Sequence, residues 1–237
     1  MFGNTLISLL AILLVALFSA GIPYWLVIRP WLLTWGATDA DVRRTLSGDD
    51  LVFHPKMETT HAITIRASAT EVWLWLAQIG YKRAGWYSYD LIHRVLGVAG
   101  SVDDGRCSAT RIIPELQHLE VGDSVEIGPG MGYKVVAIEP ERALVLHSTV
   151  NMSTWQSFDL TDPMPDKYLD SSWVWLLDEV DERTTRLIVR TRQDYNPGLL
   201  NALMIRGVVE PGGSVMERKT LLGIKQRAEA ATGRHGA

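Results

Sequence analysis

The chain has 237 residues, 47% hydrophobic, 21% charged and 8% aromatic, which suits one good-sized folded domain with an appendage rather than two full domains. Its formal net charge of -4, with Lys and Arg scattered along the chain, lacks the concentrated basic face that nucleic-acid binding requires, so no nucleic-acid partner is expected. A single cysteine, Cys107, excludes a disulfide framework and a multi-thiolate metal site within one chain, and fits a reducing compartment.

No charged side chain occurs from Met1 to Ile28, and Leu6 to Ile28 is nearly all Leu, Ile, Val, Ala and Phe. A helix needs about 20 apolar residues to cross about 30 Å of hydrocarbon, so the run predicts a single-pass transmembrane anchor. Pro23 falls late in it, and Tyr24, Trp25, Trp31 and Trp35 form an aromatic belt at the interface. A cleaved signal peptide would need a basic start, a shorter apolar run and a small-residue cleavage site, and none is clean here. Arg29, Arg43 and Arg44 follow the span while nothing basic precedes it, which predicts an inner-membrane protein with its domain on the cytoplasmic side. Residues 1–35 are therefore read as anchor and interfacial segment, and the polar stretch 36–57 as a linker.

The folded domain is expected over 58–232, with a short tail at 233–237. "THAITIRA" (60–67) alternates as a half-buried strand does. In "SATEVWLWLAQIG", Ser68 and Glu71 have capping-box spacing, and Val72, Trp73, Leu76 and Ile79 form a helical stripe stopped by Gly80. A second helix is predicted over 86–96, closed by Gly97. After an irregular stretch at 98–110, "RIIPELQHLEVGDSVEIGPG" reads as a short helical turn, a turn and a strand. "YKVVAIEP", "RALVLHS", "STWQSFDL", "SSWVWLLDEV" and "TTRLIVRTRQDY" then read as strands. The last segment, from Pro197, carries a broken amphipathic stripe that Pro211-Gly212-Gly213 should kink or interrupt.

Strand, two helices, several antiparallel strands and a long C-terminal helix make an α+β arrangement in which a curved sheet can wrap the last helix. "SATEVWLWLAQIG", "RAGWYSYD", "RIIPELQHLEVGD", "AIEPERALVL" and "VMERKTLLGIKQRAE", in that order and spacing over roughly residues 58 to 230, resemble the SRPBCC superfamily. This superfamily is START-like, Bet v 1-like or polyketide cyclase/dehydrase-like, and the match is to a membrane-anchored bacterial branch. The resemblance implies a helix-grip fold, a curved antiparallel sheet around the long C-terminal helix, enclosing a cavity. The superfamily hosts lipid transfer, hydrophobic ligand binding and cyclase chemistry, so the fold does not decide the function.

"RAGWYSYD" (83–90) carries Trp86, Tyr87 and Tyr89 within four positions. Trp86 and Tyr89, three apart, pack as core on one helix face, or their polar tips line a partly apolar cavity. Trp86, Tyr87, Tyr89, Asp90, Arg111, Glu115, Trp155 and Trp173 are the candidate ligand-binding residues, with Tyr87, Tyr89, Asp90, Arg111 and Glu115 as candidate acid-base groups. Asp90 with His93 and Glu115 with His118, each spaced i, i+3, read as surface pairs rather than a di-iron site. His54, Glu58 and His61 lack the geometry of a zinc motif, so no metal and no cofactor are expected. Arg186, Arg190 and Arg192 share one strand face, read as the solvated outside of the sheet; turned inward, Arg190 or Arg192 would pair with Glu115 or Asp90 and anchor a ligand carboxylate.

The leading expectation is a membrane-anchored START-like domain binding a hydrophobic small molecule or lipid in an internal cavity. The alternatives are a cyclase/dehydrase-like enzyme, which requires at least two of Tyr87, Tyr89, Asp90, Arg111 and Glu115 to converge in a pocket, and a non-catalytic accessory subunit docked on a membrane-protein partner.

Overall fold

The computed structural model describes residues 19, 21–100, 107–158, 162–163, 165–196 and 198–235, with side chains of 200 and 233–235 excepted. A wide π turn, Tyr24–Ile28, leads into helix α1 (Arg29–Leu33), followed by α2 (Asp39–Arg43), strand β1 (Met57–Ile65), α3 (Ala69–Ala77) and α4 (Asp90–Val95). Strands β2 (Ser124–Gly128), β3 (Met131–Glu139), β4 (Ala143–Asn151), β5 (Gln156–Ser157), β6 (Tyr168–Asp181) and β7 (Thr184–Tyr195) follow. The chain ends in α5 (Leu199–Met204), a second π turn (Ile205–Val209) and the long α6 (Glu210–His235).

The strands form one antiparallel seven-stranded sheet in the order β1-β7-β6-β4-β3-β2, with the short β5 beside β4. Its inner face packs on α3 and α6: Ile65, Leu144, Trp175 and Leu187 share a core with Val72 and Leu76 of α3 and with Leu221, Ile224 and Ala228 of α6. This is the expected α+β arrangement of a large antiparallel sheet and a long C-terminal helix. Burying that apolar area drives the fold, at about 25 cal/mol per Å² removed from water. The capping box of α3 forms as its spacing predicts, with Ser68 N–H donating to Glu71 Oε2 at 2.9 Å.

Two expectations change. Of residues 36–57, read as a linker, Met57 opens β1 and 36–56 lie across the outer face of the sheet. There Leu46 joins Ala62, Val145, Val174 and Ile188 in a second apolar cluster, and Trp35 O accepts from Ala62 N–H at 3.1 Å. The arginine row is correspondingly not solvated. Arg190 is 3% exposed and donates to Asp49 Oδ2 (2.7 Å), the Arg44, Asp41 and Val42 carbonyls and Thr60 Oγ1. Arg186 pairs with Asp41 at 2.6 Å and Arg192 with Glu58 at 2.8 Å, so neither Asp90 nor Glu115 is their partner.

The second change is in the last helix, which continues through Pro211-Gly212-Gly213. The irregularity moves upstream into the π turn, where one extra residue accommodates the N–H that Pro211 lacks. The first π turn stands likewise just ahead of Pro30. The residues preceding the two prolines, Arg29 and Glu210, form a bidentate pair at 2.8 Å, and Tyr24 Oη donates to the Arg206 carbonyl.

Among the described residues no helix is long and apolar enough to cross a membrane. The charge-free run that predicts the span falls mostly on 1–18 and 20, which lie outside the described residues.

Candidate functional site

The register of the inner face sets the site. Thr59, Thr191, Trp173 and Leu146 stand side by side across β1, β7, β6 and β4, and Met57, Gln193 and Ser171 form the neighbouring row. α6 passes over both rows without filling the space between, leaving a cavity of about 290 Å³. Its apolar wall is Trp86, Trp173, Val98, Ile127, Met57, Val209 and Met216; its polar groups include His61, His93, Tyr133, Thr191, Gln193, Glu210, Ser214, Glu217 and Thr220.

Trp173 is the hub of the apolar wall. Its indole stacks on Trp86 with centroids 6.1 Å apart and planes at 28°, and it meets Tyr133 at 5.4 Å and Trp175 at 4.9 Å. Such pairs contribute about 0.5–1.5 kcal/mol each beyond their burial. The indole N–H donates to Glu217 Oε2 at 2.8 Å.

Glu217 also faces His61, with Oε1 2.5 Å from Nδ1, and lies 3.5 Å from Thr191 Oγ1. The other ring nitrogen of His61 is 2.6 Å from the Leu32 carbonyl of α1. Both nitrogens thus face acceptors, which only a doubly protonated imidazole satisfies as donor. Burial opposes that charge, but the hydrogen bond and charge of Glu217 and the Leu32 carbonyl outweigh it, and the His61 pKa is raised. His93 behaves oppositely: burial, only partly offset by Asp90, lowers its pKa. Burial pushes the Tyr133 phenol up to about 12, where it stays a neutral partner of Ser171 at 2.9 Å.

Of the eight residues singled out from sequence, the structure brings Trp86 and Trp173 to this wall. Tyr87 is buried beside it in a left-handed turn (φ 52°), its hydroxyl accepting from Gln78 Nε2 at 2.8 Å and the Arg227 guanidinium lying 4.5 Å above its ring. Burial raises its pKa further than Gln78 and the arginines lower it. Asp90 accepts from Ser108 N–H and Oγ–H at 3.0 and 2.6 Å, tying the turn to the following loop. Tyr89, Arg111 and Glu115 are exposed, and Trp155, 49% exposed, sits in the turn between β4 and β5. None of Tyr87, Tyr89, Asp90, Arg111 and Glu115 lines the cavity, so the convergence an acid-base enzyme requires of them is not there.

The sequence reading weighed His61 only as a metal ligand and missed Glu217, Gln193 and Ser214. His61 alternates in step with Ile63 and Ile65 on a buried face, a signal that it points inward. Its partner lies 156 residues downstream, beyond any local pattern. Among the described residues no group of three or more His, Cys, Asp or Glu side chains could hold a metal ion.

No family model matches the chain, and no curated protein matches it. Among solved structures it is similar to a hypothetical protein from Helicobacter pylori, at 12% identity and a TM-score of 0.46, covering 78% of this chain and 95% of that one. It is also similar to protein MLL2253 from Mesorhizobium loti (16%, TM-score 0.39, 73% and 98%). A third likeness is to the di-domain ARO/CYC BexL of the BE-7585A biosynthetic pathway (16%, TM-score 0.41, 74% and 47%). These likenesses say nothing of the chemistry at this site.

Proposed function

We propose that the chain is a membrane-anchored helix-grip domain that holds an apolar small molecule between its sheet and α6. The observation that carries this reading is the cavity itself, walled by a Trp86–Trp173 stack and floored by a few fixed polar groups, the usual make-up of a small-molecule site. At about 290 Å³ it falls at the low end of the range of about 300–1,000 Å³ for such sites, which favours one compact guest over a two-chain phospholipid.

The membrane side of the reading rests on the charge-free N-terminal run and on an apolar rim. Ile22, Leu26, Val27 and Trp31 are exposed, as are Leu199, Leu203 and Val208, and so are Leu91, Val95 and Leu96 on α4 and at its end; His93 of α4 lines the cavity. Apolar side chains exposed in such number support a contact surface, and the arginines after the run support a domain on the cytoplasmic side of the inner membrane.

Native mass spectrometry of the detergent-purified full chain tests the cavity. Gly213 lines it, and a Cβ there meets nothing within 4 Å, so Gly213→Phe starts without a clash at its Cβ and is expected to take up the space of the guest. The expected outcome is a co-purifying mass on the wild type that Gly213→Phe loses. A bare wild-type chain that also binds no compact apolar compound overturns the reading.

A further inference from the structure

Among the described residues, two buried polar atoms of side chains on opposite walls of the cavity have no partner. Gln193, on β7, is 7% exposed and its Oε1 accepts nothing; Ser214, on α6, is 5% exposed and its Oγ is likewise unpaired. Both line the space. Buried polar groups are rarely left so, because each keeps its desolvation penalty until a hydrogen bond compensates it. The Gln193 carbonyl oxygen needs a donor, and a serine hydroxyl turns to donate or accept.

The charges around the cavity narrow the guest further. Among the described residues no Lys or Arg lines it. The basic groups bonded to its two carboxylates are already held: Arg29 by both oxygens of Glu210 at 2.8 Å, and His61 by Glu217 and the Leu32 carbonyl. Both carboxylates belong to residues that line the cavity. A buried anion would lie beside Glu210 and Glu217 with no counter-ion, the arrangement that low-dielectric surroundings penalise most. A buried ammonium would find carboxylates whose oxygens already accept from Arg29, His61 and Trp173.

We infer that the cavity selects a neutral, compact apolar alcohol, whose hydroxyl donates to Gln193 Oε1 and accepts from Ser214, over the carboxylate or the ammonium of the same skeleton. The inference rests on the cavity reading above and names the chemistry of its guest. It also gives the wall its division of labour: the indoles hold the hydrocarbon, and the unpaired amide and hydroxyl read the single polar group.

The test uses three probes of one shape, 1-adamantanol, adamantane-1-carboxylate and 1-adamantylammonium. Each is titrated calorimetrically at neutral pH into the full chain in detergent. The alcohol should bind about tenfold tighter than either ion, and Gln193→Leu and Ser214→Ala should each weaken the alcohol about three- to tenfold, the size of one lost hydrogen bond. Tighter or equal binding of the carboxylate or the ammonium overturns the inference and leaves the cavity reading intact. So does unchanged alcohol affinity in both variants. Failure of all three probes to bind the wild type removes the cavity reading, and the inference with it.

Discussion

His61 joins three parts of the molecule through one ring: β1 carries it, α6 supplies Glu217, and α1 supplies the Leu32 carbonyl. Its folded pKa is raised above the ordinary 6.5, so the stabilisation is fully present below that value and is lost as pH rises through the folded one. On deprotonation one ring nitrogen has no hydrogen left, and either Leu32 or Glu217 loses its donor. The melting temperature should therefore fall between pH 6 and pH 9 in the wild type, and this part of the fall should vanish in His61→Leu. A wild-type profile that rises over the interval would contradict the assignment. Glu217→Leu removes the acceptor of both His61 and the Trp173 indole, so the imidazole loses the charge that favours its protonated form and the indole N–H is left unsatisfied. We expect a loss of about 1–3 kcal/mol for the orphaned donor, read from urea unfolding of the purified chain at pH 6.

At the scale of elements, α6 reads the turn 83–90 through residues spaced along one face. The Met216 carbonyl accepts from Ser88 Oγ at 3.1 Å, Thr220 Oγ1 donates to the Trp86 carbonyl at 2.9 Å, and Gly223 lets the Tyr87 backbone touch the helix. A Cβ on Gly223 would overlap the Tyr87 carbonyl oxygen and come within 2.7 Å of the Tyr87 Cβ. Gly223→Ala should cost about 1–3 kcal/mol through overpacking, whereas Gly212→Ala, in open space on the same helix, should gain up to about 1 kcal/mol from propensity. Thermal unfolding of the two variants against wild type checks the contrast, and equal shifts would refute it.

The same turn shows what local pattern conveys. Alternation and turn residues were enough to read β1, β3, β4, β6 and β7, because a half-buried strand writes its period into the chain. The helix predicted from Trp86 begins at Asp90 instead, because Tyr87 takes a left-handed conformation set by its contacts with Ser108 and α6. Trp86 and Tyr89 therefore never share a helix face: one enters the cavity wall and the other turns to solvent. Long-range contacts fixed that choice, and no spacing within eight residues could encode it.

For the whole molecule, the sheet has two buried faces made by different means. The inner one is covered by helices with apolar stripes, which periodicity reveals. The outer one is covered by residues 36–56, a polar segment whose fit is one of charge: Asp41 and Asp49 meet Arg186 and Arg190, and Arg44 meets Asp178. Read in isolation the segment looks like a linker, since only the register of β7 reveals that its arginines stand in a row facing it. The clue was present in the sequence as acidic residues upstream and alternate arginines downstream, but pairing them requires knowing which face each occupies. The segment follows directly on α1, whose Leu32 carbonyl faces His61, so the covered outer face and the cavity wall are joined by one continuous stretch of chain. A chain beginning at Met57 would leave Ala62, Val145, Val174 and Ile188 open to water and strip Arg190 of four of its five acceptors. Losing the partners of a buried charge costs about 3–5 kcal/mol, a large share of the stability of about 5–15 kcal/mol typical of such a domain. Expressed side by side, the chain from Gly21 should unfold cooperatively in calorimetry, while the chain from Met57 should aggregate or melt without a cooperative transition. If the shorter chain melted cooperatively at the same temperature, residues 36–56 would be an appendage and the outer face would need no cover.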